Sequence, residues 1–280
     1  MIAHFNKGYD SDLRVKCWNK LGEWKIAQSP PGIPLTGSLQ HEILVAFKRS
    51  TAFTSQGYRS WHNWALINFR LAQQCDDSKQ NVLSAYNFGS FTNQRRPSNV
   101  PSTLQNHVAT AVHAFINAIC LGSKRWSASV QQDLLNFLTC LFRYGESREV
   151  ASVISSEVGS VPLEAWLGVL PQLLARIQIN SPIVRSILHP LLVRLGQKHP
   201  QALMYPLSVL VKSPVDERKA AAHSLMNSLK KHAYALVEDA LMVSSELIRV
   251  AILWLEQWHE GLEDASRLYF GEYLRNDFFL

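Results

Sequence analysis

Apolar side chains recur along most of the chain at intervals of three and four residues, the spacing that gathers them on one face of an α-helix. The clearest stripe ends near Gly122 and contains Leu104, Val108, Ala111, Val112, Phe115 and Ile119. A convincing alternation of apolar and polar positions, which would indicate a β-strand, is not found in the sequence. The pattern therefore predicts an all-α protein.

Three helices are predicted before the first long polar segment. They cover Asp12–Gln28, Ser38–Phe53 and Arg59–Gln74. The first of them must end at Pro30 and Pro31, because proline has no backbone N–H to donate and its ring clashes with the preceding turn.

The segment from Asp76 to Thr103 differs in character from its neighbours. It is rich in Ser, Asn and Gln and lacks sustained periodicity. Such a composition buries little apolar surface, and we interpret the segment as a long polar loop.

Helical periodicity resumes after this segment and continues almost to the end of the chain. Pro171, Pro190 and Pro206 fall inside predicted helices, where each costs roughly 3 kcal/mol in a regular exposed helix and marks a kink. The last predicted helices are Asp216–Lys231, Tyr234–Val243 and Ser244–Tyr269. Recurring short, kinked helices are similar to HEAT-type repeats and predict an α-solenoid of antiparallel helix pairs.

The composition supports a protein with a large core and much covered surface. Of the 280 residues, 47% are hydrophobic and only 18% are charged, against about 25% in typical soluble domains. The net charge of +6 permits anionic ligands. Because the Lys and Arg residues are scattered along the chain, we expect no nucleic-acid partner.

Cysteine spacing and apolar runs exclude several further classes. Cys17, Cys75, Cys120 and Cys140 form no zinc-binding pattern, so free thiols in a reducing compartment are expected. The first residues carry no apolar core of a signal peptide, and no run is long enough to span a bilayer. A cytoplasmic protein is the resulting prediction.

Catalytic and metal-binding motifs are not found in the sequence. A protein kinase needs a glycine-rich loop, a strand lysine, a catalytic loop and a metal-binding Asp-Phe-Gly, and Asp277-Phe278-Phe279 lacks the glycine. His62 is interpreted as a packed, hydrogen-bonded structural residue. We therefore predict no catalytic residue, no metal ligand and no required cofactor.

Five segments nevertheless resemble one family. They are Lys20–Trp24, Trp61–Phe69, Leu170–Ile177, His199–Leu207 and Glu246–Phe270. The first four resemble the FAT domain of TOR kinases, which belong to the PI3K-related kinases, and the fifth resembles the first helix of their rapamycin-binding domain.

The resemblance implies a division of the chain. Residues 1–75 and 104–245 are expected to form FAT-domain helical repeats of the TPR or HEAT type, separated by the polar loop 76–103. Residues 246–272 are expected to form the first helix of the rapamycin-binding domain, and the tail 273–280 departs from the family pattern.

The function that the resemblance implies is architectural. The FAT region of a TOR serine/threonine kinase of growth and nutrient signalling would clamp the kinase domain and contact accessory subunits, with endomembrane association through that complex. The kinase domain lies beyond this region in the family, so the chain itself is expected not to be an enzyme. The alternative is a free-standing α-solenoid adaptor that binds an anionic ligand or a peptide.

A basic pocket is the first site that the resemblance implies. In TOR proteins the FAT domain binds inositol hexakisphosphate as a structural ligand, and Lys16, Lys20 and Arg59 match three of its basic positions. Lys16 and Lys20 are four residues apart and project from one helical face. The competing interpretation is an ordinary solvated basic face.

The rapamycin groove is the second implied site. Leu262, Ser266 and Phe270 match three groove positions, and their spacing places them along one face of a helix. They would supply one wall of the groove, and an immunophilin–rapamycin complex would bind only to a complete domain. The competing interpretation is that Leu262 and Phe270 are core positions of a helix bundle.

Overall fold

The regular structure of the chain is helical throughout the residues that can be described. The computed structural model describes residues 11–30, 34–35, 37–53, 57–86, 102–123, 127–251 and 254–276. The helices are α1 (Ser11–Gln28), α2 (Gly37–Phe53), α3 (Tyr58–Tyr86), α4 (Ser102–Gly122), α5 (Ala128–Tyr144), α6 (Arg148–Glu157), α7 (Leu163–Leu167), α8 (Leu170–Ala175), α9 (Pro182–Lys198), α10 (Pro200–Val211), α11 (Asp216–Lys230), α12 (Tyr234–Ala251) and α13 (Trp254–Asn276). A 3-10 turn at Val158–Ser160 follows α6. The predicted all-α class is confirmed.

The chain forms two compact units, residues 1–191 and residues 192–280. In the first unit neighbouring helices pack against one another in chain order from α1 to α5, and α6 also packs on α4. In the second unit α10, α11 and α12 pack mutually. Contacts between helices that are close in sequence are typical of helical repeats.

Helix α4 is the centre of the first unit. It packs against α3, α5 and α6 and buries side chains on most of its circumference. The ring of Phe115 meets Phe69 of α3 edge-on, with centroids 5.9 Å apart. Phe137 of α5 extends the core on the other side of α4. Its ring centroid lies 5.8 Å from that of the fully buried Trp166.

A buried polar junction joins the first three helices. The Asn19 side chain of α1 donates to the Ser60 hydroxyl of α3 at 2.9 Å, and the Ser50 hydroxyl of α2 donates to the same oxygen at 2.6 Å. All three side chains are buried, so each needs these partners to offset its loss of water. The junction therefore fixes how α1 sits on α3.

An apolar cluster lies beside this junction. Its buried members are Leu35, Ile43, Phe47, Ile67 and Leu71, and Trp64 of α3 packs against them. The cluster joins α2 and α3 to the segment that precedes α2. Burial of each such side chain contributes about 1.5–3 kcal/mol.

The prediction that the polar loop starts at Asp76 is wrong, because α3 continues to Tyr86. A tertiary contact explains the difference. The Asp76 carboxylate accepts a hydrogen bond from the Tyr144 hydroxyl at 3.0 Å and pairs with Arg143 at 2.7 Å, both from α5. The end of the loop also shortens, since α4 begins at Ser102, and residues 87–101 lie outside the described part.

Two helix boundaries in the second half also differ from the prediction. Pro171 lies in the first turn of α8 rather than inside a helix, a position where the missing N–H has no intrahelical acceptor to lose. Pro190 and Pro206 do lie inside α9 and α10. Helix α12 continues through Ser244 to Ala251, because serine weakens a helix without removing a backbone hydrogen bond.

The predicted segments differ from the compact units. The repeat segment 104–245 is divided at residue 191, and α13 continues to residue 276, inside the predicted tail 273–280. Residues 277–280 lie outside the described part. Among the described residues, no helix combines the length and the apolar character that crossing a bilayer would require.

Close contact at Gly22 makes the first unit sensitive to a single methyl group. A Cβ added to Gly22 would lie 2.6 Å from two ring carbons of Phe47, which is 1% exposed and has no room to move. We expect Gly22→Ala to lower the free energy of unfolding by about 1–3 kcal/mol, as overpacking does. Urea unfolding followed by tryptophan fluorescence measures the change.

Gly261→Ala is the control for this substitution, because beyond the adjoining residues and helix backbone no atom lies within 4 Å of the added Cβ in α13. It should be neutral or stabilise the helix by about 0.5–1 kcal/mol. A Gly22→Ala chain as stable as the parent would show that α1 and α2 are not closely packed at Phe47.

Candidate functional site: a carboxylate-centred basic cluster

Helix α1 separates a buried face from a basic one. Val15, Asn19 and Gly22 are buried and follow the spacing of one helical face. Lys16 and Lys20 lie on the adjoining exposed face, one turn apart. The packing of α1 through its other face thus leaves both predicted ligand-binding lysines at the surface.

The structure brings two of the three predicted cations together on one carboxylate. Arg59 donates to Oε1 of Glu23 from Nε at 2.9 Å and from Nη2 at 2.6 Å. The Lys20 ammonium donates to Oε2 at 3.2 Å, and the Asn63 amide donates to Oε1 at 3.3 Å. We call Lys20, Glu23, Arg59 and Asn63 the Glu23 cluster.

The surroundings of Glu23 keep it ionised. Partial burial by itself raises the pKa of this carboxyl, but the hydrogen bonds from Arg59 and Lys20 and the charge of Arg59 outweigh it and lower the pKa below its ordinary value. The Glu23 side chain is 25% exposed, whereas those of Lys20 and Arg59 are 57% and 66% exposed. Water screens pairs of this kind, which typically contribute less than about 1 kcal/mol.

The donor set of the cluster fits an anionic oxygen ligand. A guanidinium fork, an ammonium group and an amide already converge on one carboxylate, and phosphate oxygens accept the same bonds. Lys16 is exposed one turn away and adds a further cation. Sequence reasoning missed Glu23 and Asn63, although the three-residue spacing of Glu23 from Lys20 was a signal for the first of them.

A second polar cluster lies inside the same unit. Asp133 of α5 is fully buried and accepts a hydrogen bond from the Tyr58 hydroxyl at 2.8 Å, while its other oxygen lies 2.8 Å from Nδ1 of His62. The Tyr58 and His62 rings stack with centroids 5.4 Å apart. His62 is thus a packed, hydrogen-bonded residue, as predicted, and its role is to hold α3 on α5.

Helix α13 carries the predicted groove residues. Leu262, Ser266 and Phe270 lie along one of its faces, and Leu262 and Phe270 are 60% and 61% exposed. They are not core positions in the described structure. Residues 256–271 are all exposed, so this stretch of α13 is accessible on every side.

Cysteine and metal chemistry add nothing to these clusters. All four cysteines are free thiols, and burial raises the pKa of the Cys140 thiol to about 12, which makes it unreactive. Within the described residues no group of three His, Cys, Asp or Glu side chains is arranged to hold a metal ion.

Comparison with known families covers nearly the whole chain. Residues 3–139 match the FAT domain, residues 149–247 match the HEAT repeats of the ATR-like serine/threonine-protein kinases, and residues 246–279 match the FKBP12-rapamycin binding domain. The HEAT-repeat match agrees with the sequential packing of helices. It confirms the predicted class, an all-α stack of helical repeats.

Individual relatives point to one kinase family. The chain is 38% identical over 271 residues to the serine/threonine-protein kinase mTor of Drosophila melanogaster, covering 95% of this chain and 10% of that protein. It is 39% identical over 270 residues to the serine/threonine-protein kinase TOR of Arabidopsis thaliana, covering 96% and 10%. It is 35% identical over 276 residues to TOR2 of Saccharomyces cerevisiae, covering 93% and 11%.

The chain belongs to the TOR family of PI3K-related kinases and corresponds to its FAT region and the start of its rapamycin-binding domain. It spans about a tenth of the length of these relatives. The predicted family resemblance is therefore confirmed.

The Tyr58–Asp133 contact predicts a stability loss in alkali. Burial, together with the Asp133 carboxylate, raises the pKa of Tyr58 above its ordinary value. The folded chain then holds this proton more tightly than the unfolded chain. Its contribution to stability is complete below about pH 10 and is lost as the pH rises through the folded-state pKa. We expect the free energy of unfolding to fall less steeply above pH 10 in Tyr58→Phe than in the parent.

Urea unfolding between pH 9 and pH 11 checks this expectation. Tyr205→Phe is the control, because Tyr205 is 77% exposed, and it should keep the slope of the parent. Some slope should remain in Tyr58→Phe, since burial and Asp76 also raise the pKa of Tyr144. Equal slopes in parent and Tyr58→Phe would contradict the prediction.

Proposed function

We propose that the chain is a non-catalytic helical scaffold of a TOR-like serine/threonine protein kinase. Its FAT region packs against the kinase domain and contacts the accessory subunits of the complex, in the cytoplasm and on endomembranes reached through that complex. The family matches support the kinase assignment. In this proposal the phosphate transfer is carried out by residues outside this chain.

Exposed apolar side chains on α12 are the observation that carries the proposal. Val243, Leu247 and Val250 share one helical face and are 51%, 64% and 66% exposed. Large apolar side chains grouped at a surface mark a contact with another protein segment. We assign this face to the kinase domain, because the chain corresponds to a tenth of relatives that are themselves kinases.

Binding to a kinase domain tests the scaffold function. The purified chain is mixed with the separately expressed kinase region of Drosophila mTor, and the affinity is measured by calorimetry. We expect Leu247→Glu to weaken binding about tenfold or more, because a charge would enter an apolar interface at a cost above 1.4 kcal/mol. Val209→Glu is the matched control, since Val209 of α10 is an apolar side chain with 52% exposure.

Three outcomes would contradict the proposal. They are no measurable binding by the parent chain, equal loss in Leu247→Glu and Val209→Glu, and phosphate transfer from ATP by the purified chain alone. Binding of a peptide or an anion by a chain that ignores the kinase region would favour the free-standing adaptor.

A second candidate function is polyphosphate binding by the FAT region. We propose that Lys16, Lys20 and Arg59 contribute to a site for inositol hexakisphosphate, a structural ligand rather than a reactant. The convergence of Lys20 and Arg59 on one carboxylate supports it, because the same donors suit phosphate oxygens. Lys16 supplies a third cation on the same helix as Lys20.

Reversal of one charge tests this site. We expect Lys20→Glu to weaken the binding of inositol hexakisphosphate about tenfold or more, because it removes a cation and adds an anion beside the ligand. Calorimetry at two salt concentrations gives the affinity and its electrostatic part. Lys219→Glu is the control, since Lys219 is an exposed lysine of α11 in the other unit, and an unchanged affinity in Lys20→Glu would reject the site.

The rapamycin-groove face is a separate part of the proposal. Leu262, Ser266 and Phe270 lie exposed along α13, with the small serine between two large apolar side chains. A bulky ligand could lie against the helix at Ser266 and contact both neighbours. We propose that this face forms one wall of the immunophilin–rapamycin site when the domain is complete, which the match to that domain supports.

A further inference from the structure

We propose that the Glu23 carboxylate competes with anionic ligands for the donors of the Glu23 cluster. This competition makes the cluster selective for polyphosphates over single phosphates. The inference rests on the proposed polyphosphate site. Four donated bonds, two from Arg59 and one each from Lys20 and Asn63, end on the one carboxylate of Glu23. An anionic ligand that accepts these same four bonds takes the place of Glu23.

The charges of the cluster explain why the Glu23 carboxylate discriminates between a single phosphate and a polyphosphate. Two cations, Lys20 and Arg59, already pair with the one anion Glu23, whereas Lys16 is exposed one helical turn before Lys20. Inorganic phosphate would exchange one anion for another and gain little. A ligand with several phosphates would replace the carboxylate and also reach Lys16, which adds bonds that Glu23 cannot make.

The carboxylate can leave without unfolding the helices that carry it. The contact between α1 and α3 is secured below the cluster by the buried Asn19–Ser60 hydrogen bond of 2.9 Å. Glu23 itself is partly exposed and sits at the surface end of that contact. A glutamate has three rotatable side-chain bonds and can swing toward water, and the loss of an exposed ion pair costs at most about 1 kcal/mol.

The alternative role for Glu23 is that of a brace. In that case the carboxylate would hold Arg59 and Lys20 in the positions that the ligand needs, and its removal would scatter the donors. The two roles predict opposite changes in ligand affinity when the charge of Glu23 is removed. A competitor weakens ligand binding, whereas a brace strengthens it.

Glu23→Gln decides between these roles, because it keeps the shape of the side chain and removes its charge. The affinities of parent and variant for inositol hexakisphosphate and for inorganic phosphate are measured by calorimetry. We expect Glu23→Gln to bind inositol hexakisphosphate about tenfold more tightly and to gain measurable binding of inorganic phosphate. The ratio between the two affinities should shrink.

Glu42→Gln is the matched control. Glu42 of α2 also pairs with a lysine of α1, Lys25, and its neutralisation changes the net charge of the chain by the same amount. It should leave both affinities within about twofold of the parent. Equal tightening in Glu42→Gln would show a general charge effect and would overturn the assignment to Glu23. Unfolding curves verify that both variants fold, and Glu23→Ala replaces Glu23→Gln if the latter does not.

The outcomes distinguish the competitor role of Glu23 from the polyphosphate site on which it rests. Weaker or unchanged binding in Glu23→Gln, with binding still lost in Lys20→Glu, would overturn the competitor role and leave the polyphosphate site standing. If neither the parent nor Glu23→Gln binds inositol hexakisphosphate, the polyphosphate site itself is rejected, and the competitor role with it.

Discussion

The enclosure of helix α4 is the constraint on which the first unit depends. Small side chains at Ala111, Ala114 and Ala118 are fully buried, so neighbouring helices approach this one closely. Phe115 fills the space that remains and meets Phe69 of α3. Because α3 is held along α4, the residues at its start are fixed in space. Arg59 and Asn63 of the Glu23 cluster and Tyr58 and His62 of the Asp133 cluster all come from that part of α3.

The two polar clusters on α3 differ in what holds them. Asp133 is fully buried, so separating it from Tyr58 and His62 would leave a desolvated carboxylate without partners, at a cost of several kcal/mol. Glu23 is partly exposed and can exchange Arg59 for water at little cost. The first cluster is therefore structural. Only the second could give up a partner to a ligand, so adjacent residues of α3, such as His62 and Asn63, belong to clusters of different kinds.

Local sequence signals predicted most of the helices, and tertiary contacts account for the differences. Proline after α1 and periodicity in α4 were sufficient, since both act within a few residues. The extension of α3 depends on Asp76 meeting α5, a contact that spans 68 residues to Tyr144. Glu23 meets Arg59 across 36 residues, and no spacing rule predicts such a pair. The family resemblance selected Lys20 and Arg59, but the carboxylate between them required the structure.

Stability and function are coupled at the C-terminal end of the chain. Helix α12 buries Val237 against its unit, while Leu247 and Val250 further along the same helix are left exposed. Exposed apolar side chains contribute nothing to folding until another surface removes them from water. A partner that binds only the folded chain stabilises it by an amount that grows with the logarithm of the affinity. Under the proposed scaffold role, the exposed end of α12 and residues 256–271 of α13 would therefore gain stability from a partner that covers them.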